Sequence, residues 1–376
     1  MNFSYSDEQK MLQDSVAKFV QQDYDFDRRR QLVDSETGFS NDHWQLFAEL
    51  GWLMVPFTEA DGGLGGSAVD LMIVMEAFGK GMVVEPFLAS AILGGGLIAA
   101  TGNEAQKEEL LGVLMQGRLQ LAFAFAEPQS RYNLADVAMT ATSQDDSYTL
   151  NGQKSVVLNA PAADYLIVAV RTSGAQLDAD GISLLLVDSQ TAGIDIRGYT
   201  TVDGHRAAEV SFTDVKVPAS NLLGAEGKAL PVIEQMIDRA SLALCAEAVG
   251  AMEVAYKKTV EYTRTRKQFG VPIARFQALQ HRMADMFIEY EQARSILIMA
   301  AMQLDANQGI APKAVSAAKS RVGKAARLIG QEAVQLHGGI GVTDELDVGH
   351  LFKRLTTIQY LFGSTDFHTR RFAAAQ

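Results

Sequence analysis

Two segments of this chain combine residue types that could do chemistry. Arg264-Thr265-Arg266-Lys267-Gln268-Phe269-Gly270 places three cations where a long helical pattern ends. Cations there complement the negative end of the helix macrodipole. A guanidinium also presents a fixed fork of donors that suits a diphosphate. Gln335-Leu336-His337-Gly338-Gly339-Ile340-Gly341 ends a second long helical pattern. Glycines so closely spaced stop a helix, and they also let backbone approach a ligand. Neither segment alone names that ligand. GxxxxGK[ST], HExxH, GxSxG and the EF-hand loop are absent,. The glycines at 62–66 and 338–341 do not form G-x-G-x-x-G after a strand, so a Rossmann site is not supported,. His43, His205, His281, His337, His350 and His368 show no metal-ligand spacing and are expected at surfaces or helix ends,.

The elements that must position these segments fall into three zones. Residues 1–120 read as helices: Ser6 precedes an acidic first turn and a 3.6-period apolar stripe, and NDHWQLFAELGWLM stops at Gly51,. Residues 121–226 read as a β-rich middle domain, a small barrel or sandwich. There YTLNGQKSVVLN predicts strand, Asn-Gly turn, strand, and DYLIVAVR, GISLLLVD and EVSFTDVKVP predict further strands,. Residues 227–376 read as long amphipathic helices with short links, an antiparallel bundle,. The fold class is therefore α+β, in the order helices, β-barrel, four-helix bundle.

Composition narrows the function. The 376 residues are 48% hydrophobic and 21% charged, a globular composition sized for two or three domains,. The net charge of −12 repels nucleic-acid phosphates,. The single cysteine, Cys245, excludes an intrachain disulfide framework and a cysteine-based zinc site, and a reducing, cytoplasmic compartment is expected,. The N-terminal residues lack the basic and apolar regions of a signal peptide,. Val83 to Gly102 is about long enough to span a bilayer, but Glu85, Pro86 and Gly94-Gly95-Gly96 interrupt it, so a buried helix and no membrane segment is expected.

Taken together and in order, these motifs resemble the acyl-CoA dehydrogenase family. WQLFAELGWLMVPFTEADGGLGGS, GNEAQKEELLGVLMQGRLQLAFAFAEP, YTLNGQKSVVLNAPAADYLIVAVR, TRTRKQFGVPIARFQALQHRMADM and QLHGGIGV carry the likeness along nearly the whole chain. The resemblance implies FAD, an acyl-CoA thioester and an electron-transferring flavoprotein as acceptor. It implies oxidation between Cα and Cβ, with a carboxylate base and hydride transfer to the flavin. Arg266, Gln268 and Phe269 match positions that reach a neighbouring subunit's FAD, and Ile273 and Gln277 match further contacts to it. Gln335 and Gly339 match contacts to its adenosine-diphosphate part, and Thr365 matches a threonine near the same diphosphate. A homo- or hetero-oligomer, dimer or tetramer, is implied as well. The apolar stretch SILIMAAM (295–302) suits burial against another subunit.

The chain departs from that pattern where the base should be. The family's aromatic-Glu-Gly-Thr reads Phe362-Gly363-Ser364-Thr365, so Gly363 stands at the acid position. The alternative acid position, on the first bundle helix, falls on Ala240. Asp238, Glu247 and Asp366 are the nearby carboxylates. In the middle zone, Thr-Glu-Pro-x-(Gly/Ala)-Gly-Ser reads Ala126-Glu127-Pro128-Gln129-Ser130-Arg131-Tyr132, and the Trp-Ile-Thr beside the flavin ring reads Val156-Val157-Leu158. These departures look like the small, base-lacking subunit of two-component bacterial acyl-CoA dehydrogenases. Three alternatives stay open: a subunit that needs a partner with the base, a self-sufficient homomer using Asp366 or Asp238, and a non-catalytic thioester or flavin binder. Gly94 to Gly96 lie where the family lines its acyl pocket and suggest room for a bulky acyl group.

Overall fold

The computed structural model describes residues 5–306 and 311–374, so residues 1–4 of the N-terminal reading lie outside the described residues. Ser6 starts α1 (Asp7–Gln22) with a reciprocal capping box: its hydroxyl accepts the Gln9 N–H, and the Gln9 side chain accepts the Ser6 N–H,. Then come α2 (Phe26–Asp34), α3 (Asn41–Glu49) and α4 (Ala68–Gly81). Gly51, at φ 75°, stops the α3 region as expected,.

The Val83–Gly102 stretch is buried as far as Ile98, and Ala100 is exposed. It forms a π-helix (Phe87–Gly95) running into α5 (Gly96–Thr101), and α6 (Glu104–Met115) follows. Among the described residues no helix is long and apolar enough to cross a membrane. The triple glycine does not leave open volume. A Cβ on Gly94 would meet Leu121 at 2.5 Å, one on Gly95 would meet Phe57 at 2.5 Å and Leu114 at 2.6 Å, and one on Gly96 would meet Met236 at 2.8 Å. The expected room for a bulky acyl group is corrected: neighbouring side chains fill it.

The middle zone forms β1 (Leu121–Ala124), β2 (Thr140–Gln144), β3 (Ser147–Leu158), β4 (Tyr165–Arg171), β5 (Ile182–Asp188), β6 (Ile194–Thr200), β7 (Arg206–Pro218) and β8 (Leu222–Leu223). They make one eight-stranded sheet in the order β6-β7-β3-β2-β4-β5-β8, with β1 parallel on β4. Its strands give one face to a common core that includes Leu150, Leu166, Val168, Leu185, Val210 and Val215. The edge strands β6 and β8 do not pair with each other. The Asn151-Gly152 turn is not there. β3 runs straight through it, and the hairpin turns instead at Asp145-Asp146, between Gln144 and Ser147. Asn151 exchanges two hydrogen bonds with Asp214 on β7, and the β3–β7 register shifts at this point, so the Asn-Gly pair makes a bulge,.

The C-terminal zone holds α7 (Leu230–Thr265), a small hairpin of β9 (Lys267–Gln268) and β10 (Val271–Pro272), then α8 (Gln277–Asp305), α9 (Ala311–His337), α10 (Asp347–Tyr360) and α11 (Thr365–Ala374). α9 packs against α8, α10 and α11. It is surrounded because its buried positions are small or branched: Ala314, Val315, Ala318, Val322, Ala325 and Ile329. By packing, the chain divides into two units. One comprises Met1–Gln31, Ser67–Val83 and Ser241–Gln376, the other Leu32–Gly66 and Val84–Ala240.

Candidate functional site

The segment at the family's acid position is built as a closed turn. Phe362 has φ 57° and Gly363 has φ 122°, a region open to glycine and strained for other residues,. A Cβ on Gly363 would lie 2.5 Å from His368 Nε2 and 2.6 Å from Phe367 Cδ1. Two buried basic side chains hold this turn. Lys319 Nζ donates to the carbonyls of Ile358 at 2.7 Å and Gly363 at 3.1 Å. His368 Nε2 lies 3.0 Å from the Phe362 carbonyl, and Nδ1 lies 3.4 Å from the Ser316 hydroxyl. A neutral ring with its proton on Nε2 satisfies both contacts. Burial, and then the Lys319 charge, pushes His368 down to about 4. Burial likewise pulls Lys319 down to about 8. The Gly363 N–H points to the Tyr360 carbonyl at 3.4 Å.

The other carboxylates near the base positions differ in availability. Ala240 is fully buried in α7. Glu247 is gripped by Arg354, with Nε to Oε1 at 2.5 Å and NH2 to Oε2 at 2.7 Å, and both residues are buried. A carboxylate held in such a fork is not a free base. Asp238 is buried, and Asp366 is exposed in the first turn of α11.

The residues matched to cofactor contacts lie at two separate places. Arg266 is exposed, and its guanidinium makes no hydrogen bond or ion pair with a described residue. Gln268 is in β9, Ile273 in the turn after β10, and Gln277 opens α8. Phe269 and Gly270 make the hairpin turn at φ 53° and 79°, both positive as a type I′ turn requires, and Phe269 is 90% exposed,. Tyr262 stacks on His337 with ring centroids 4.4 Å apart. That stack brings the 264–269 segment to the end of α9, where Gln335 and Gly339 are exposed. No atom lies within 4 Å of the Cβ position of Gly338 or Gly339, so their backbone is open to approach. A cleft of about 330 Å³ lies alongside, lined by Tyr256, Thr263, Arg264, Met283 and Phe287. Thr365 is not part of this group. Its hydroxyl is buried without a partner, against Gly323. Gly323 is about 18 Å along α9 from Gln335 at 1.5 Å per residue.

In the middle zone, Glu127 and Lys154 form a buried ion pair at 2.7 Å. Burial pulls Lys154 down to about 8 against the opposing pull of Glu127. The Glu127 carboxylate also accepts the Ala138 N–H at 2.9 Å. Val156 sits on a bulge of β3 at φ 52°, with its N–H on Glu209. Ser155 N–H donates to the Ala126 carbonyl at 2.9 Å, which ties the bulge to the 126–132 run.

His43 lies in the first turn of α3, a helix end as expected, but is buried and pairs with Glu85 at 2.9 Å. The expectation of a surface or helix end is corrected for His368, which is buried within α11. His337 does end α9 but is buried. Sequence reasoning missed Lys319 and Arg354. Lys319 left a signal, because it interrupts the apolar face made by Val315, Ala318 and Val322.

Models of the acyl-CoA dehydrogenase N-terminal, middle and C-terminal domains match residues 6–118, 122–215 and 227–376. The chain belongs to the acyl-CoA dehydrogenase family. A probable acyl-CoA dehydrogenase of Bacillus subtilis (strain 168), YngJ, is 32% identical over 358 residues, covering 94% of this chain and 93% of that protein. The caffeyl-CoA reductase–Etf complex subunit CarC of Acetobacterium woodii is 28% identical over 93% of each chain. The solved butyryl-CoA dehydrogenase of Megasphaera elsdenii superposes with a TM-score of 0.91 at 28% identity, covering 100% of this chain and 99% of that one. This acyl-CoA dehydrogenase is thus an α+β oxidoreductase acting on the CH–CH bond of acyl-CoA, with FAD as cofactor. Its residues fit the diphosphate side of that cofactor: a free guanidinium at Arg266 and open glycine backbone at 338–339 stand at one end of the bundle.

Proposed function

We propose that this chain is a base-lacking subunit of a two-component acyl-CoA dehydrogenase and turns over only with a partner that supplies the base. The observation that carries this is the Gly363 turn: φ 122° and a 2.5 Å approach to His368 leave no place for any side chain. Ala240 offers no acid either, and Glu247 is neutralised by Arg354. Bound FAD supplies the two-electron acceptor for oxidation of the Cα–Cβ bond. Arg266 and Gln268 offer donors to its diphosphate, and Gln335 with the Gly338–Gly339 backbone offers a second set. Phe269, Ile273 and Gln277 complete that surface.

Because Thr365 is about 18 Å along α9 from Gln335, one copy of the chain cannot hold one diphosphate with both. A second copy or a related subunit is the natural complement. Phe269, Phe276, Phe287, Ile288 and Met299 are exposed apolar side chains of the same unit. Within SILIMAAM, Leu297, Ala300 and Ala301 are buried by the chain's own bundle, which leaves exposed Met299 and half-buried Ile296, Ile298 and Met302 for such a contact. An electron-transferring flavoprotein is the proposed acceptor, supported by the relative named as a subunit of an Etf complex. Asp366, exposed after the turn, is the base in a second, self-sufficient reading. The test is an anaerobic assay of the FAD-loaded chain with acyl-CoA and an electron acceptor, with and without a second family member that carries an intact acid. Turnover only in the mixture is expected. Full turnover by the chain alone favours the second reading.

A further inference from the structure

α11 is attached differently from α9 and α10. α10 buries Val348, Leu351, Leu355 and Ile358, and α9 buries alanines and branched side chains. α11 buries His368 alone. Around that residue it touches α9 through polar groups. The Thr369 and Ser320 hydroxyls share a hydrogen bond at 2.7 Å, and the Arg371 guanidinium reaches the Ser316 hydroxyl at 3.5 Å. The Lys313 ammonium lies 5.2 Å from the ring of Phe372, which is itself exposed. Contacts of this kind stabilise weakly. A helix of 10 residues does not persist in water without something to pack on,. The attachment of α11 therefore depends on the state of one imidazole.

That imidazole joins three parts of the bundle. Its Nε2–H donates to the Phe362 carbonyl, its Nδ1 accepts from Ser316 of α9, and Phe367 packs edge-on against it with ring centroids 5.2 Å apart. It also fills the space that a Cβ on Gly363 would need. Two cations face it, Lys319 from α9 and Arg371 from α11 itself. The turn at 362 presents a carbonyl. Beyond Lys319 lies the thiol of Cys245 on α7, which burial pushes up to about 12. No carboxylate pairs with His368 or Lys319 among the described residues. A proton added at Nδ1 therefore puts an imidazolium beside two cations, out of water and with no counter-charge. It also removes the acceptor for the Ser316 hydroxyl.

We propose that His368 is a proton-operated latch: its neutral ring holds α11 on α9 and closes the Gly363 turn, and protonation of the ring detaches α11 as a unit while α9 and α10 stay folded. The sign follows from where the proton binds better. The detached helix carries an ordinary histidine near 6.5, whereas burial and then the Lys319 charge hold the docked ring down to about 4. Protonation therefore favours detachment, from below pH 6.5 down to pH 4. α9 and α10 do not share this dependence, because apolar side chains hold them.

The test is hydrogen exchange read by mass spectrometry on the full chain with excess FAD, at pH 7.5 and pH 4.5. Each rate is divided by the intrinsic amide rate at that pH. The amides of residues 365–374 are expected to exchange about 70-fold faster on this scale at pH 4.5 than at pH 7.5, while those of α9 and α10 keep their protection. Equal exchange of 365–374 at the two pH values overturns the latch. So does an equal loss of protection in α9 and α10, which would mean that the bundle melts as a whole. His368→Gln and His368→Leu both remove the titrating ring, the first keeping hydrogen-bonding groups and the second apolar volume. A variant that holds α11 at pH 7.5 is expected to hold it equally at pH 4.5, and wild-type pH dependence in such a variant overturns the role of His368. If neither variant holds α11 at pH 7.5, the wild-type comparison decides alone.

Discussion

Replacing Gly363 with alanine adds one methyl group to the place where relatives are expected to carry an acid. The methyl would lie 2.5 Å from His368 Nε2 and 2.6 Å from Phe367 Cδ1, in a backbone at φ 122°. The positive φ costs about 1–2 kcal/mol in a residue with a Cβ, and forcing a methyl into a packed site costs about 1–3 kcal/mol. Gly363→Ala should therefore lower the unfolding free energy by about 2–5 kcal/mol, read from the denaturant midpoint at constant m. The steric part depends on His368, so Gly363→Ala combined with His368→Ala should cost less than the two single changes added. Gly363→Glu should destabilise at least as much and should not create a base. A Gly363→Ala protein within about 0.5 kcal/mol of wild type, the scatter of ordinary surface changes, would refute the closed-turn geometry.

His368 also makes stability pH-dependent. Its folded value near 4 is below the ordinary 6.5, so the unfolded chain binds more protons between these limits. Stability should be present above pH 6.5 and be lost as pH falls toward 4, by on the order of 3 kcal/mol from this group; denaturant titrations of wild type and His368→Gln should show a flatter acid limb in the variant. Arg354→Ala strands Glu247 in the interior and should cost about 3–5 kcal/mol, whereas Glu247→Leu with Arg354→Met should unfold close to wild type. Arg266→Ala should lower the FAD content of the purified assembly with unchanged helical circular dichroism, and Arg266→Lys should fall between; equal FAD in all three would make Arg266 a helix-end cation only.

Local signals in the sequence were reliable where chemistry is local. Ser6 with Gln9, the stop at Gly51, and the runs that became β4, β5 and β7 all formed as their spacing predicts. Asn151-Gly152 failed because a turn signal yields when a partner strand continues: Asp214 on β7 pairs with Asn151, and the chain bulges instead of reversing. Gly94 to Gly96 misled because absence of a side chain does not say whether a neighbour fills the gap, and here Leu121, Phe57, Leu114 and Met236 do. The missing acid at position 363 was legible as a letter. That the position is also closed, by Lys319 far earlier in the chain and by His368 five residues later, is a property of packing and has no local signature.

With Gly363 and Ala240 at the two acid positions, this chain alone should not remove the α-proton of a bound thioester. The direct measurement is mass spectrometry of acyl-CoA after incubation with the FAD-loaded chain in heavy water, alone and with a family member bearing an intact acid. An unchanged thioester mass is expected with the chain alone, and α-deuteration when the partner is present. Rapid α-deuteration by the chain alone would contradict it and would place a working base, such as Asp366, within the chain.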